Sequence, residues 1–217
     1  LHGLGATGDS WVLQIPILVQ AGLRVIAPDT RGFGKSGYPG KTSVQWMVDD
    51  FIELLDALQV TRADVVGISM GGAQALQMAA DYPQRVDRLV LVNTFASLRP
   101  RSLKVWAYFF YRFLMVHTVG LKTQAGFVAR RVFPAPGQEM LRQGLIAQVL
   151  QASPAGYRAT MRALGMLDLT RRLGEIRAPT LVITGDQDTT VPPQVQSQLA
   201  RSIPHARQAL IAGAGHA

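Results

Sequence analysis

The stretch "VVGISMGGAQ", residues 65–74, sets one serine, Ser69, between Gly67 and Gly71. Apolar residues precede it and helix formers follow, so the chain passes from strand to helix at that hydroxyl. Small residues on both sides permit a tight turn, and a turn of this kind holds its central residue strained and facing outward. The helix that follows aims free backbone N–H groups and the positive end of its dipole at any negative charge forming beside the serine. A serine hydroxyl attacks only when a neighbouring base takes its proton and a third group orients that base. The same pattern also suits a turn built for close packing alone, so the chemistry rests on partners elsewhere in the chain.

Outward from this turn, short apolar runs recur: "LRVIAP" at 23–28, "ADVVGI" at 63–68, "RLVLVN" at 88–93, "PTLVIT" at 179–184 and "RQALIA" at 207–212. Their near-continuous apolar character predicts strands buried on both faces. Between the first two, Val44, Met47, Val48, Phe51, Leu54, Leu55 and Leu58 recur at three- and four-residue spacing after Ser43, a good N-cap. That pattern predicts an amphipathic helix. Alternating strands and helices give an α/β fold, a mostly parallel sheet with helices on both faces and ligand chemistry at the carboxyl ends of the strands.

Residues 98–168 break the rhythm with helical, aromatic and arginine-rich stretches, and the expected organisation is a core of 1–97 and 169–217 with a helical cap inserted at 98–168. The cap carries ten basic residues (Arg99, Arg101, Lys104, Arg112, Lys122, Arg130, Arg131, Arg142, Arg158 and Arg162) against Glu139 and Asp168, so it holds the whole net charge of +8. Its run "VWAYFFYRFLMV" at 105–116 is too short to span a bilayer, which takes about 20 residues. It reads as a cap helix covering a pocket in preference to a segment lying in a membrane surface.

A length of 217 residues accommodates one domain with an insertion, and 48% hydrophobic with 17% charged residues is the balance of a globular protein. The absence of cysteine excludes a disulfide framework, thiolate metal sites and a cysteine nucleophile. A cytoplasmic location is the default expectation. No dinucleotide-binding glycine motif, metal-ligand cluster or nucleic-acid recognition motif is present, so neither cofactor nor metal nor nucleic acid is expected. The expected partner is a small-molecule ester, lactone or related acyl substrate.

Taken together, "LHGLGATGDSW" (1–11), "PDTRGFGKSG" (28–37), "GISMGG" (67–72), "VITGDQDTTVP" (182–192) and "GAGH" (213–216) resemble the α/β-hydrolase fold family, in order and spacing, over essentially the whole chain. The resemblance implies Ser69 as nucleophile, Asp188 as triad acid and His216 as base, in the chain order Ser, Asp, His. It further implies an oxyanion hole made by the backbone N–H groups of Leu4 and Met70, with His2 shaping the loop that carries Leu4. Asp186 stands as the alternative acid. His117 and His205 read as structural or exposed, while Asp29 and Arg31 read as organisers of their loop, with substrate contact as the other role for Arg31.

Relatives resembling haloalkane dehalogenases and epoxide hydrolases carry aspartate where Ser69 stands. The serine therefore leaves esterases, lactonases, hydrolases of carbon–carbon bonds and cofactor-free perhydrolases or haloperoxidases, and the motifs look most like the esterase and enol-lactonase group. A non-catalytic small-ligand-binding protein is the reading from a different class, separated from the others by turnover. The family also implies two strands and most of a third before the His-Gly motif, the third lying in the sheet between the strands expected at 23–28 and 63–68, and a helix after His216, none of which this sequence contains. The expectation is a fragment, cut at both ends, of a protein of roughly 260 to 280 residues, with a gap in the sheet beside 63–68.

Overall fold

The computed structural model describes residues 1–98 and 103–217, with the side chains of 104–106, 108, 109, 112, 113 and 116 outside the description. The charges of Arg99, Arg101, Lys104 and Arg112 and most side chains of the aromatic run at 105–116 thus lie outside the described residues.

The apolar runs around Ser69 and beyond become β1 (Ala63–Ile68), β2 (Val86–Val92), β3 (Thr180–Gly185) and β4 (Ala206–Ile211), paired in that order. Every pairing is parallel, with Val66 opposite Val90, Val90 opposite Leu181 and Leu181 opposite Arg207. Parallel neighbours need crossovers, and parallel strands end on one edge, so the loops after Ile68, Val92, Gly185 and Ile211 collect on the same side of the sheet.

Residues 23–28 are a correction to the sequence reading, because they form no strand. A strand exists through its ladder, and the residue bonded along the outer edge of β1 is Leu1, whose carbonyl accepts from the Ile68 N–H at 3.2 Å. Residues 23–30 instead run beside the opening loop: the Ala27 carbonyl lies close against Gly8, and the Thr30 N–H donates to His2.

Helix α1 (Gln14–Gln20) buries none of its residues, whereas α2 (Val44–Ala57) buries Val44, Met47, Val48, Phe51 and Leu55. The Ser43 hydroxyl caps α2 by accepting from the Trp46 N–H at 3.1 Å. Helix α3 (Met70–Asp81), which links β1 to β2, packs against α2, β1 and β2 and is buried from Met70 through Ala79. A helix enclosed on all sides needs small residues, hence Gly71, Gly72, Ala73, Ala75 and Ala79 around Leu76 and Met78. Full burial of a leucine such as Leu76 stabilises the fold by roughly 1.5–3 kcal/mol.

Between β2 and β3 come α4 (Leu103–Thr118), α5 (Gly120–Val132), α6 (Glu139–Gln151) and α7 (Pro154–Met166). Where the chain leaves for these helices and returns, Ser97 and Asp168 form an antiparallel bridge and the Leu169 N–H donates to the Ala96 carbonyl at 2.9 Å. Helix α7 starts at Pro154 behind Ser153, whose hydroxyl accepts from the Gly156 N–H at 3.2 Å. Helix α8 (Pro193–Ser202) completes the crossover from β3 to β4. Among the described residues, no helix is long and apolar enough to cross a membrane.

Candidate active site

Ser69 joins β1 to α3 with φ 53° and ψ −114°, a region costly to a residue with a Cβ by about 1–3 kcal/mol. Three contacts hold it there: its N–H donates to the Val92 carbonyl at 3.0 Å, and its own carbonyl accepts from the Ala73 N–H at 3.1 Å and the Thr94 hydroxyl at 2.6 Å. The flanking glycines serve close approach and not backbone freedom, since neither Gly67 nor Gly71 has positive φ. A Cβ on Gly67 would lie 2.2 Å from the Gly71 carbonyl oxygen, and one on Gly72 would lie 2.5 Å from the Thr94 side chain.

The opening loop passes beside this turn. A Cβ on Gly3 would stand 3.7 Å from the Ser69 Cβ, which puts half-buried Leu4 next to the serine. Met70, the first residue of α3, is fully buried. Neither the Leu4 nor the Met70 N–H donates to an acceptor among the described residues, as the position of Met70 in the first turn dictates.

His2 fixes that loop. Its ring is fully buried, its Nε2 accepts from the Thr30 N–H at 2.9 Å, and its Nδ1 faces the Gly3 carbonyl at 2.9 Å. The accepting Nε2 places the proton on Nδ1, so the ring is neutral. Burial lowers its pKa to about 4, with the hydrogen bond to the Gly3 carbonyl acting in the opposite direction.

At the far side of the sheet edge, Asp188 and His216 meet. His216 Nδ1 lies 2.9 Å from Asp188 Oδ2, and both residues are buried. Oδ1 of the same carboxylate accepts from the Thr190 N–H at 2.7 Å and the Val191 N–H at 2.9 Å. Asp186 is occupied elsewhere, accepting from the Gly213 N–H at 2.8 Å, so the geometry distinguishes the two aspartates. The pair and the serine share consecutive residues of β2 and its end: Val92 holds the Ser69 N–H, while the Asn93 side chain donates to the His216 carbonyl at 2.9 Å.

The remaining residues singled out by the sequence lie in loops or on the surface. Asp29 accepts from the N–H groups of Gly8 at 2.7 Å and Lys35 at 2.8 Å, which ties two loops together. Arg31 pairs in bidentate fashion with Asp50 and stacks over Trp46 at 5.9 Å, and the hydrogen bond to Asp50 raises its pKa further. His117 and His205 are exposed. Two open clefts, about 670 Å³ between residues 28 and 54 and about 480 Å³ beside α7, are lined by none of Ser69, Asp188 or His216. The strained serine and the buried Asp188–His216 hydrogen bond make this sheet edge a sharper candidate for a reactive centre than open volume does. Sequence reasoning missed Asn93 and Gln196, two buried amides behind Asp188 and His216. A lone amide at a strand end or inside a helix has no spacing that would have announced it.

Residues 1–217 match the alpha/beta hydrolase fold family along their whole length, and the chain belongs to that family. It is a hydrolase of the α/β fold with a small-molecule substrate. A protein of Variovorax paradoxus provisionally named carbamate hydrolase RutD is 32% identical over 226 residues, covering 99% of this chain and 82% of the relative. The enol-lactonase of Burkholderia xenovorans LB400 superposes with a TM-score of 0.88 at 29% identity, over 99% of this chain and 82% of its own. Bromoperoxidase of Bacillus anthracis gives 0.91 at 29% identity, over 99% and 83%.

Proposed function

We propose that the protein cleaves a carboxylic ester or lactone through an acyl-enzyme formed on Ser69. His216 Nε2 takes the Ser69 proton as the hydroxyl oxygen attacks the carbonyl carbon, and returns it to the departing alcohol oxygen. Asp188 keeps the other imidazole proton on Nδ1 and stabilises the imidazolium. The N–H groups of Leu4 and Met70 receive the oxyanion, a contribution of roughly 100- to 1,000-fold per donor in rate. Water, activated by the same histidine, then releases the acid. For a lactone the departing alcohol stays tethered to the acyl group.

The observation that carries this reading is the buried Asp188–His216 hydrogen bond of 2.9 Å, on the sheet edge that also holds Ser69 in its strained turn. Helices α4–α7 act as the cap. Support comes from contacts of α5, α6 and α7 with the loop beside Asp188 and with the opening loop. The Arg131 guanidinium of α5 donates to the Thr189 carbonyl beside Asp188, and Val149 of α6 and Tyr157 of α7 close on Gly5, where a Cβ would meet them at 2.6 and 3.2 Å. The resemblance to a carbamate hydrolase favours one second reading, in which a carbamoyl group passes to the same serine as the alcohol oxygen leaves, and water then releases a carbamic acid that breaks down to carbon dioxide and ammonia or an amine.

The test is mass spectrometry after reaction with a fluorophosphonate, comparing the protein with Ser69→Ala. One adduct on Ser69, absent from the variant, is the expected result. A folded protein that takes no adduct refutes the proposal. Turnover of p-nitrophenyl esters, enol-lactones and carbamates by the unlabelled protein, and its loss on labelling, then ranks the substrate classes.

A further inference from the structure

Asn93, 5% exposed, directly follows β2 at φ 45°, a conformation asparagine tolerates better than most residues. Its Nδ2 donates to the carbonyls of Gly215 at 3.0 Å and His216 at 2.9 Å, while its Oδ1 accepts from the Gly185 N–H at 2.9 Å and from Gln196 Nε2 at 3.2 Å. Gln196, fully buried on α8, also turns that Nε2 towards the Val191 carbonyl at 2.9 Å and Asp188 Oδ2 at 3.3 Å. Its Oε1 meets no donor among the described residues, so flipping the amide would set an oxygen against three oxygens. The orientation is therefore fixed by its acceptors.

A buried amide is costly unless paired, and an amide needed only to fill space would be better replaced by leucine or methionine. These two pair with the loops that carry Asp188 and His216, and with each other. We infer that Asn93 and Gln196 are positioning residues: Asn93 sets the main chain of His216 against the strand that holds Ser69, and Gln196 sets the Asp188 carboxylate.

The carboxylate explains why the second amide matters. Thr190 and Val191 N–H groups fill Oδ1, and Gln196 supplies one donor to Oδ2, which leaves an acceptor direction facing His216 Nδ1. Nδ1 must then carry the proton, and Nε2 keeps the lone pair that a general base requires. Asn93 does the corresponding work on the imidazole side, because a histidine whose main chain drifts carries its ring away from the serine. This inference rests on the serine-hydrolase reading above.

The experiment measures two quantities with a saturating fluorophosphonate: the fraction of molecules labelled at Ser69, and the rate constant for the molecules that label. Asn93→Asp preserves size, tolerance of the backbone conformation and the Oδ1 acceptor, but replaces the Nδ2 donor with an oxygen facing two carbonyls. Gln196→Met preserves length and helix propensity and removes the donor to Asp188. We expect the rate per labelled site to fall about 100-fold in Asn93→Asp, the scale of a misplacement near 1 Å, and about tenfold in Gln196→Met. The downfield proton resonance of His216 Nδ1 should shift in both. Variants that label at the wild-type rate with an unmoved resonance, even if fewer molecules label, would reduce the amides to folding elements and overturn the inference. If Asn93→Asp does not accumulate as folded protein, Gln196→Met and its resonance decide the matter. A wild-type protein that fails to label Ser69 is a different result, and it removes the reading on which this inference stands.

Discussion

Gly67→Ala isolates the physical reason for the glycine before the serine. The added methyl carbon would stand 2.2 Å from the Gly71 carbonyl oxygen, 2.4 Å from its carbon and 2.6 Å from the Gly72 nitrogen, all main-chain atoms of the first turn of α3. Ordinary contact begins near 3.4 Å, so α3 must retreat from β1 by about 1.2 Å, and Ser69 and the Met70 N–H move with it. Overpacking of this kind costs roughly 1–3 kcal/mol, against a typical domain stability of about 5–15 kcal/mol, so the variant folds. The chemistry has no such reserve, because a displacement near 1 Å costs about 100-fold in rate. Circular dichroism and thermal melting establish folding, and the kinetics of fluorophosphonate labelling at Ser69 report the geometry. A folded Gly67→Ala protein that labels at the wild-type rate would show that the close approach of Gly67 to Gly71 does not control the position of the serine.

Gly144→Ala is the contrasting case: nothing stands within 4 Å of its would-be Cβ inside α6, so thermal melting should show a gain of about 0.5–1 kcal/mol with labelling unchanged. His2 makes stability depend on acid. Because its folded pKa of about 4 lies below the unfolded 6.5, the unfolded chain takes up the proton first as pH falls. Its contribution is therefore complete above pH 6.5 and is lost progressively towards pH 4, to a total on the order of 3 kcal/mol. Urea denaturation between pH 7 and 4 should show this loss in the wild type and a shallower one in His2→Asn; parallel curves would refute it. Asp188→Asn removes the acceptor for His216 Nδ1 and should lower kcat on any ester substrate by about 10⁴-fold with little change in folding, measured by steady-state kinetics and melting.

What the sequence disclosed and what it concealed divide along one physical line. The Ser69 turn was legible because its causes are local: the glycines that meet each other lie within a few residues, and the strand and helix on either side carry their own periodicities. Helix α2 was legible for the same reason, down to its Ser43 cap. Residues 23–28 misled because strand character in a sequence states only that a segment suits a ladder, whereas the ladder needs a neighbour at the right edge, and that edge of β1 bonds to Leu1. Asp188 and His216 were singled out through the family resemblance, and their contact spans 28 residues. The amides behind them were invisible because Asn93 reaches His216 across 123 residues and Gln196 across 103, and composition says nothing about separations of that kind. Parallel topology makes such distant partners neighbours by gathering every strand end on one edge. A serine shaped by local sequence thus shares its sheet edge with an imidazole held from the end of β2 and the loop after β3, with α8 behind that loop, and on the proposed mechanism substitutions at Asn93 and Gln196 should slow the reaction while leaving the Ser69 turn intact.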